Sequence, residues 1–346
     1  MGQSSTSRLE FIGIQYLRGA AALMIVVFHC GAQISRGGAP LPNHQWLTMG
    51  VDVFFVISGF IMWVSTAPPS DVSPWRFWWR RVRRIVPLYW LVTSIAVAAL
   101  VLTPSLVKSG KFDLWHAVSS FLFVPSSHPI TGKMEPVVIP GWSLNYEMFF
   151  YFIFGACLFL GRRFRLLVLL IALVVLIAAG FVLKSENKTI AFYTSPYLAE
   201  FAIGVLLGFY VTRGGRAPRA ACIALLLLGA SLSPATESGL IGALIASTAV
   251  VAGIVLLDVS QPIEFYWLPC LLGDASYSIY ITHSLVISAF GQLYQRVGLF
   301  ELTHGVQLYL AGAVLTATVV GVIVHQMIEL PILGNAFFRR AEPSSA

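Results

Sequence analysis

Ten apolar runs of roughly membrane-spanning length occupy most of this chain, and no other feature limits its fold so strongly. A bilayer core needs about 20 apolar residues per helix. Runs near 12–32, 47–66, 85–103, 142–160, 166–183, 194–212, 219–234, 239–257, 275–295 and 306–328 meet that need. Several end at Gly or Pro, as at Pro104, Pro140-Gly141, Gly214-Gly215 and Pro331, where helix stops are expected. Composition agrees. Of 346 residues, 57% are hydrophobic and 11% charged, with a mean hydropathy of +0.80, whereas a soluble domain carries about 25% charge. That balance excludes a water-soluble globular enzyme, a disordered chain and a nucleic-acid-binding module. The sequence predicts an all-α integral membrane protein with about ten transmembrane helices, whose first partner is the lipid bilayer.

Ten spans use about 200 residues, which leaves no loop long enough for a soluble catalytic domain. The longest connection, 104–140, carries an amphipathic stretch from Phe112 to Val124 suited to the membrane interface. Any chemistry must lie in or between the helices. In such a chain the location of charge says more than the net +7. With a cytoplasmic N-terminus, fourteen of the 22 basic residues face inward, among them Arg8, the five of Arg76–Arg84, Arg162, Arg163, Arg165, Arg339 and Arg340. Seven, from Arg36 to Arg296, face outward, and Arg18 lies within the first span. The positive-inside rule then predicts both termini in the cytoplasm of a multi-pass plasma (inner) membrane protein. MGQSSTSRLE is too polar for a cleavable signal. Met1-Gly2 with Thr6 matches the loose N-myristoylation pattern, an anchor that a chain with many spans does not need. Cys30, Cys157, Cys222 and Cys270 sit in or beside apolar runs without metal-ligand spacing and read as small buried apolar residues, so no metal is expected.

Ionisable groups within spans are costly and mark functional sites by default. Arg18 and His29 share the first span. Eleven helical steps make three turns plus about 20°, so both side chains point the same way, about 16 Å apart along the axis. A snorkelling arginine and a core histidine explain the pair as well as a site does. The second span opens GVDVFFVISGF, which puts Asp52 at a depth comparable with His29. The fourth opens PGWSLNYEMFFY, where Ser143 can cap the helix and shares a face with Glu147 four residues on, beside Asn145. Three groups from three helices thus reach the same depth. In the ninth, Ser276, Tyr280 and His283 form a stripe at i, i+4, i+7, suited to substrate contact or to helix–helix hydrogen bonding. The loop WRFWWRRVRRIVPLYW sets Arg80, Arg81, Arg83 and Arg84 among tryptophans, either a positive-inside cluster or a phosphate cradle. His325 and Glu329 near the end of the last span read as a structural pair, and His44, His116, His128 and His304 fall in loops.

Five motifs in this order, YLRGAAALMIVVFH, GVDVFFVISGF, RRVRRIVPLYW, PGWSLNYEMFFYF and SYSIYITH, resemble the membrane-bound acyltransferase-3 family of O-acyltransferases. The resemblance runs from residue 10 to about 335 and implies one transmembrane domain over 1–346, without an appended soluble domain. It implies transfer of an acyl group, commonly acetyl, from cytoplasmic acyl-CoA as co-substrate, with no permanently bound cofactor, to a hydroxyl of a glycan or lipid-linked sugar. It further implies donor binding by Arg18 and by the pair Arg81 and Arg84, and functional parts for His29 and Glu147. The residues themselves add Arg80 and Arg83 beside the pair to donor binding, and either Glu147 or Asp52 to orient His29 as the catalytic base. The residues alone leave a proton-coupled exporter built on the same buried His and carboxylates as the rival class, and a non-catalytic scaffold as a third.

Overall fold

The first run becomes a helix because a partner from far along the chain closes its open end. In the computed structural model, which describes residues 11–38, 44–67, 70, 72–103, 110–234 and 239–334, α1 (Ile12–Arg36) has no cap of its own. Asp258 supplies one: its carboxylate accepts from the Gly13 amide at 2.9 Å and from the Ile263 amide at 3.0 Å. This anchors α1 to α10 (Leu240–Ser260). α2 (Met49–Thr66) follows a 3₁₀ turn, Gln45–Thr48. α3 runs Pro74–Leu102, its start set by Pro74 in the first turn and by the Ser73 hydroxyl accepting from the Arg76 amide.

A short α4 (Leu114–Phe121) precedes α5 (Gly141–Cys157), α6 (Arg162–Leu183), α7 (Lys188–Tyr193), α8 (Leu198–Thr212) and α9 (Arg219–Leu232). After α10 come α11 (Trp267–Asp274), α12 (Ser276–Arg296) and α13 (Gly305–Val324). A π-helical turn, His325–Glu329, and α14 (Leu330–Leu333) complete the described chain. Among the described residues there is no strand, only one isolated bridge, Ser127 with Met134.

All ten apolar runs are helical, but they are not equal. Among the described residues seven stretches are long and apolar enough to cross a membrane: Ile12–Arg36, Gln45–Thr66, Pro74–Leu102, Arg162–Leu183, Lys188–Thr212, Leu240–Ser260 and Gly305–Leu333. α5 with 17 residues and α9 with 14 are short for a span, and the polar stripe of α12 lowers its hydropathy. The third run also starts earlier than its hydropathy suggests. WRFWWRRVRR is the first part of α3, not a loop, because arginine and tryptophan tolerate a helix and Pro74 starts one. The termini, with Met1-Gly2, Thr6, Arg8, Arg339 and Arg340, lie outside the described residues.

Packing divides the helices by what they touch. α2 lies closest to α8, where Gly59 faces the Phe201 carbonyl and Gly204 the Val56 carbonyl, too near for a methyl group on either. Small residues let backbones approach in this way inside membranes. Around that seam Phe201 stacks on Phe150 at 4.4 Å and lies 4.7 Å from Phe55. α1 packs against α2, α10, α11, α12 and α13, which makes it the central helix. By contrast α6 keeps Leu167, Ile171, Val174 and Phe181 on its outer surface, as expected of a helix that meets lipid. All four cysteines are buried free thiols.

Candidate active site

The first surprise at the centre is a pair of imidazoles. His29 of α1 faces His283 of α12, with ring centroids 5.0 Å apart. His283 is fully buried, and its Nδ1 lies 2.6 Å from the Tyr280 carbonyl. A carbonyl only accepts, so Nδ1 carries the proton and Nε2 keeps its lone pair. That Nε2 has no partner. α12 therefore presents a fixed-tautomer imidazole acceptor beside His29.

One turn back, the stripe continues into α5. The Ser143 hydroxyl lies 2.7 Å from the Tyr280 hydroxyl, and both reach the Pro140 carbonyl, at 3.1 and 2.9 Å. Ser143 does not cap α5, which begins at Gly141 without a side-chain cap; its hydroxyl ties α5 to α12 instead. Asn145 and Ser276 are buried with no partner for their side-chain polar atoms, the kind of exception that a bound polar group would satisfy.

The three groups expected at one depth occupy three different places. Glu147 accepts from Ser58 at 2.8 Å and from Tyr151. Its charge acts on Arg18, Arg81 and Tyr280, so it stands between the stripe and the arginines. Asp52 and Glu200 of α8 form a close, buried carboxyl pair. Two carboxyl groups so placed can bond to each other only when one of them carries a proton. Among the described residues no hydrogen bond or charge joins His29 to Asp52 or Glu147.

The inner arginines differ among themselves. Arg81 is buried, with its guanidinium 5.5 Å from the Phe77 ring and 5.6 Å from the Tyr151 ring, and its Nε has no partner. Arg83 donates from Nε to the Ile332 carbonyl at 2.9 Å. Arg84 and Arg18 feel each other's charge and that of Glu329, while Arg18 donates to Gln15 at 2.9 Å. Arg80 has a partner of its own. Clustered guanidinium groups in a partly desolvated setting suit phosphate.

Sequence reasoning missed Glu200, Ser58 and Tyr151. Glu200 was detectable: it is an acid inside SPYLAEFAIGVLL, and the rule that singled out Asp52 applies to it equally. Ser58 and Tyr151 carry no such signal, because hydroxyl residues are ordinary in membrane helices. Among the described residues no group of three or more His, Cys, Asp or Glu side chains is placed to hold a metal.

A helical membrane bundle with a polar centre and a cluster of arginines beside it is the class that these observations define. The acyltransferase-domain family matches residues 11–325, and the chain belongs to that family. It is an acyltransferase. It is 37% identical over 300 residues to the exopolysaccharide production protein ExoZ of Rhizobium meliloti, covering 84% of this chain and 91% of that one. It is 28% identical over 218 residues to the O-acetyltransferase OatA of Staphylococcus aureus, covering 57% of this chain and 34% of OatA. It is also 27% identical over 337 residues to the putative membrane-bound transacylase BcsY of Komagataeibacter xylinus, covering 91% and 81%. No solved structure matches. Nothing in these relationships favours the export reading. The protein is a multi-pass integral membrane protein.

Proposed function

We propose that this acyltransferase moves an acyl group, acetyl by preference, from cytoplasmic acyl-CoA to a hydroxyl of a glycan or lipid-linked sugar on the far side of a bacterial inner membrane. The arrangement along α1 is the observation that carries this reading. Arg18 lies with Arg84 and Glu147 at one end of the polar core, and His29 faces His283 at the other. Eleven residues of helix separate them by about 16 Å, which an extended pantetheine arm spans. The names of the relatives support a saccharide acceptor and acetyl transfer: one is an exopolysaccharide production protein and another an O-acetyltransferase. In this reading all ten apolar runs cross the bilayer, with both termini cytoplasmic.

The chemistry balances with the protein's own groups. Arg18, Arg81 and Arg84 bind the donor's phosphates. His29 takes the proton of the acceptor hydroxyl as its oxygen attacks the thioester carbonyl. The carbon–sulfur bond breaks, and the leaving thiolate receives that proton from His29. His283 takes the orienting part that the sequence assigned to a carboxylate: its Nε2 lone pair, unpartnered and beside the His29 ring, becomes the acceptor for the His29 N–H when the donor binds, which leaves the other His29 nitrogen as the base. Glu147 balances the charge of the arginines rather than that of His29.

Purified protein in lipid vesicles, given radiolabelled acetyl-CoA and exopolysaccharide or lipid-linked saccharide, should yield labelled saccharide. His29→Ala should lower the rate at least 100-fold, the lower end of what general acid–base catalysis contributes, while the protein inserts normally. Full product formation by that variant would sink the assignment.

A further inference from the structure

The end of the last helix holds a device that the reaction above does not use. After Val324 the chain widens into the π-helical turn His325–Glu329. Such turns are rare, and they commonly sit at functional sites. Here the turn points Glu329 inward, where it is 3% exposed. One carboxylate oxygen, Oε2, meets the Ser278 hydroxyl at 2.6 Å and His325 Nδ1 at 2.8 Å. Two donors on one oxygen fix the carboxylate in place.

Glu329 also packs beside Arg83 and Arg84 of α3 and Pro87, around a gap too tight to hold a water molecule. Its charge acts on Arg84, on Arg18 and on the Tyr277 hydroxyl, which itself donates to the Ile85 carbonyl at 2.6 Å. Arg18 and Arg84 come from different helices, α1 and α3, and repel each other. Two guanidinium groups in a partly desolvated core stay together only with a counter-charge. Glu147 answers to Arg81 and Arg18 from the other side, and Asp274 of α11 acts on Arg18 as well, ahead of both glutamates, so that Glu329 is the counter-charge shared with Arg84. A structural pair of His325 with Glu329 alone would need neither the π turn nor the Ser278 bond.

We infer that Glu329, locked by Ser278 and His325 on the π turn, is a positioning residue that holds Arg18 and Arg84 together to receive the phosphates of the acyl donor. This rests on the proposal that those arginines bind the donor. The carboxylate touches no reacting atom. It sets the spacing of two cations that otherwise spring apart, so its loss affects binding of the donor rather than the transfer step.

The test is the affinity of full-length protein in detergent micelles for radiolabelled acetyl-CoA. Glu329→Gln keeps the shape and removes the charge. It should weaken binding about tenfold in the fraction that elutes as folded protein, with kcat at saturating donor within about threefold of the original. Glu329→Asp should recover part of the loss. If Glu329→Gln does not fold, Ser278→Ala and His325→Gln free the carboxylate without removing it and should each weaken binding severalfold. Arg84→Ala separates the two ideas: unchanged binding in that variant removes the donor reading itself. If Arg84→Ala weakens binding while folded Glu329→Gln binds as the original protein does, or the two loosening variants do so, the positioning role is overturned.

Discussion

Asp52 and Glu200 show how a single proton decides the behaviour of a buried pair. The two lie buried side by side, and a hydrogen bond between them exists only while one of them is protonated. An amide can supply the same donor. Asp52→Asn should therefore cost less stability than Asp52→Ala, which leaves Glu200 buried without its partner at a cost of about 1–3 kcal/mol; thermal unfolding in micelles measures the difference, and equal losses would deny the bond. Arg81 makes a second case. Its guanidinium lies near the Phe77 and Tyr151 rings, which uses the flat cation that lysine lacks. Arg81→Lys should raise the donor KM about tenfold, about 1.4 kcal/mol of binding, and initial rates against acetyl-CoA concentration test it. Arg18, His29, Asp52 and Glu147 were legible as exceptions in apolar runs, and Arg81 only as one of a basic cluster in an expected loop. Which of them meet was not, because depth along a helix does not say which neighbour a side chain faces.

At the level of elements, close backbone approach joins α2 to α8. Gly204→Ala should destabilise the protein by about 1–3 kcal/mol through overpacking, read as a lower melting temperature. The connection before α5 depends on pH instead. α4 turns Leu114, Trp115, Val118 and Leu122 outward and His116, Ser119 and Ser120 inward, the reverse of a helix in water and apt for the membrane interface. His116 meets Ser126 at 3.0 Å and lies 5.3 Å from the His128 ring. Burial, and after it the charge of His128, holds His116 below the usual histidine value. Unfolded, this histidine takes up a proton near pH 6.5; folded, it does so only at lower pH. The stability it contributes is whole above that pH and declines as pH falls through it towards the folded value. Amide exchange over 113–128 should accelerate at pH 5 relative to pH 7.5, after correction for intrinsic rates, and His116→Gln should abolish the difference. The sequence showed the amphipathic period of this segment. It did not show that the polar face closes on itself through His116, Ser119 and Ser126.

For the molecule as a whole, the charge count makes an orientation claim. In a variant without its native cysteines, Lys188→Cys should react with an impermeant maleimide from outside intact cells, and Arg216→Cys only after the membrane is opened. The opposite pattern would invert the topology. The central place of α1, packed on five other helices, lets its polar residues reach both ends of the polar core: Arg18 feels the charge of Arg84 of α3, and His29 faces His283 of α12.

The sequence by itself determined the solvent, the helical class, the runs that become helices and the few costly residues worth explaining. Those follow from local chemistry: apolar length sets a span, and a charge within one needs a reason. Only the tertiary structure decided the partners. His29 faces an imidazole rather than a carboxylate, Asp52 lies against Glu200, and Glu147 and Glu329 flank the arginines. Those pairings join residues up to hundreds of positions apart, and the rotation of each helix about its axis, set by how its small and aromatic residues pack, selects which polar groups meet.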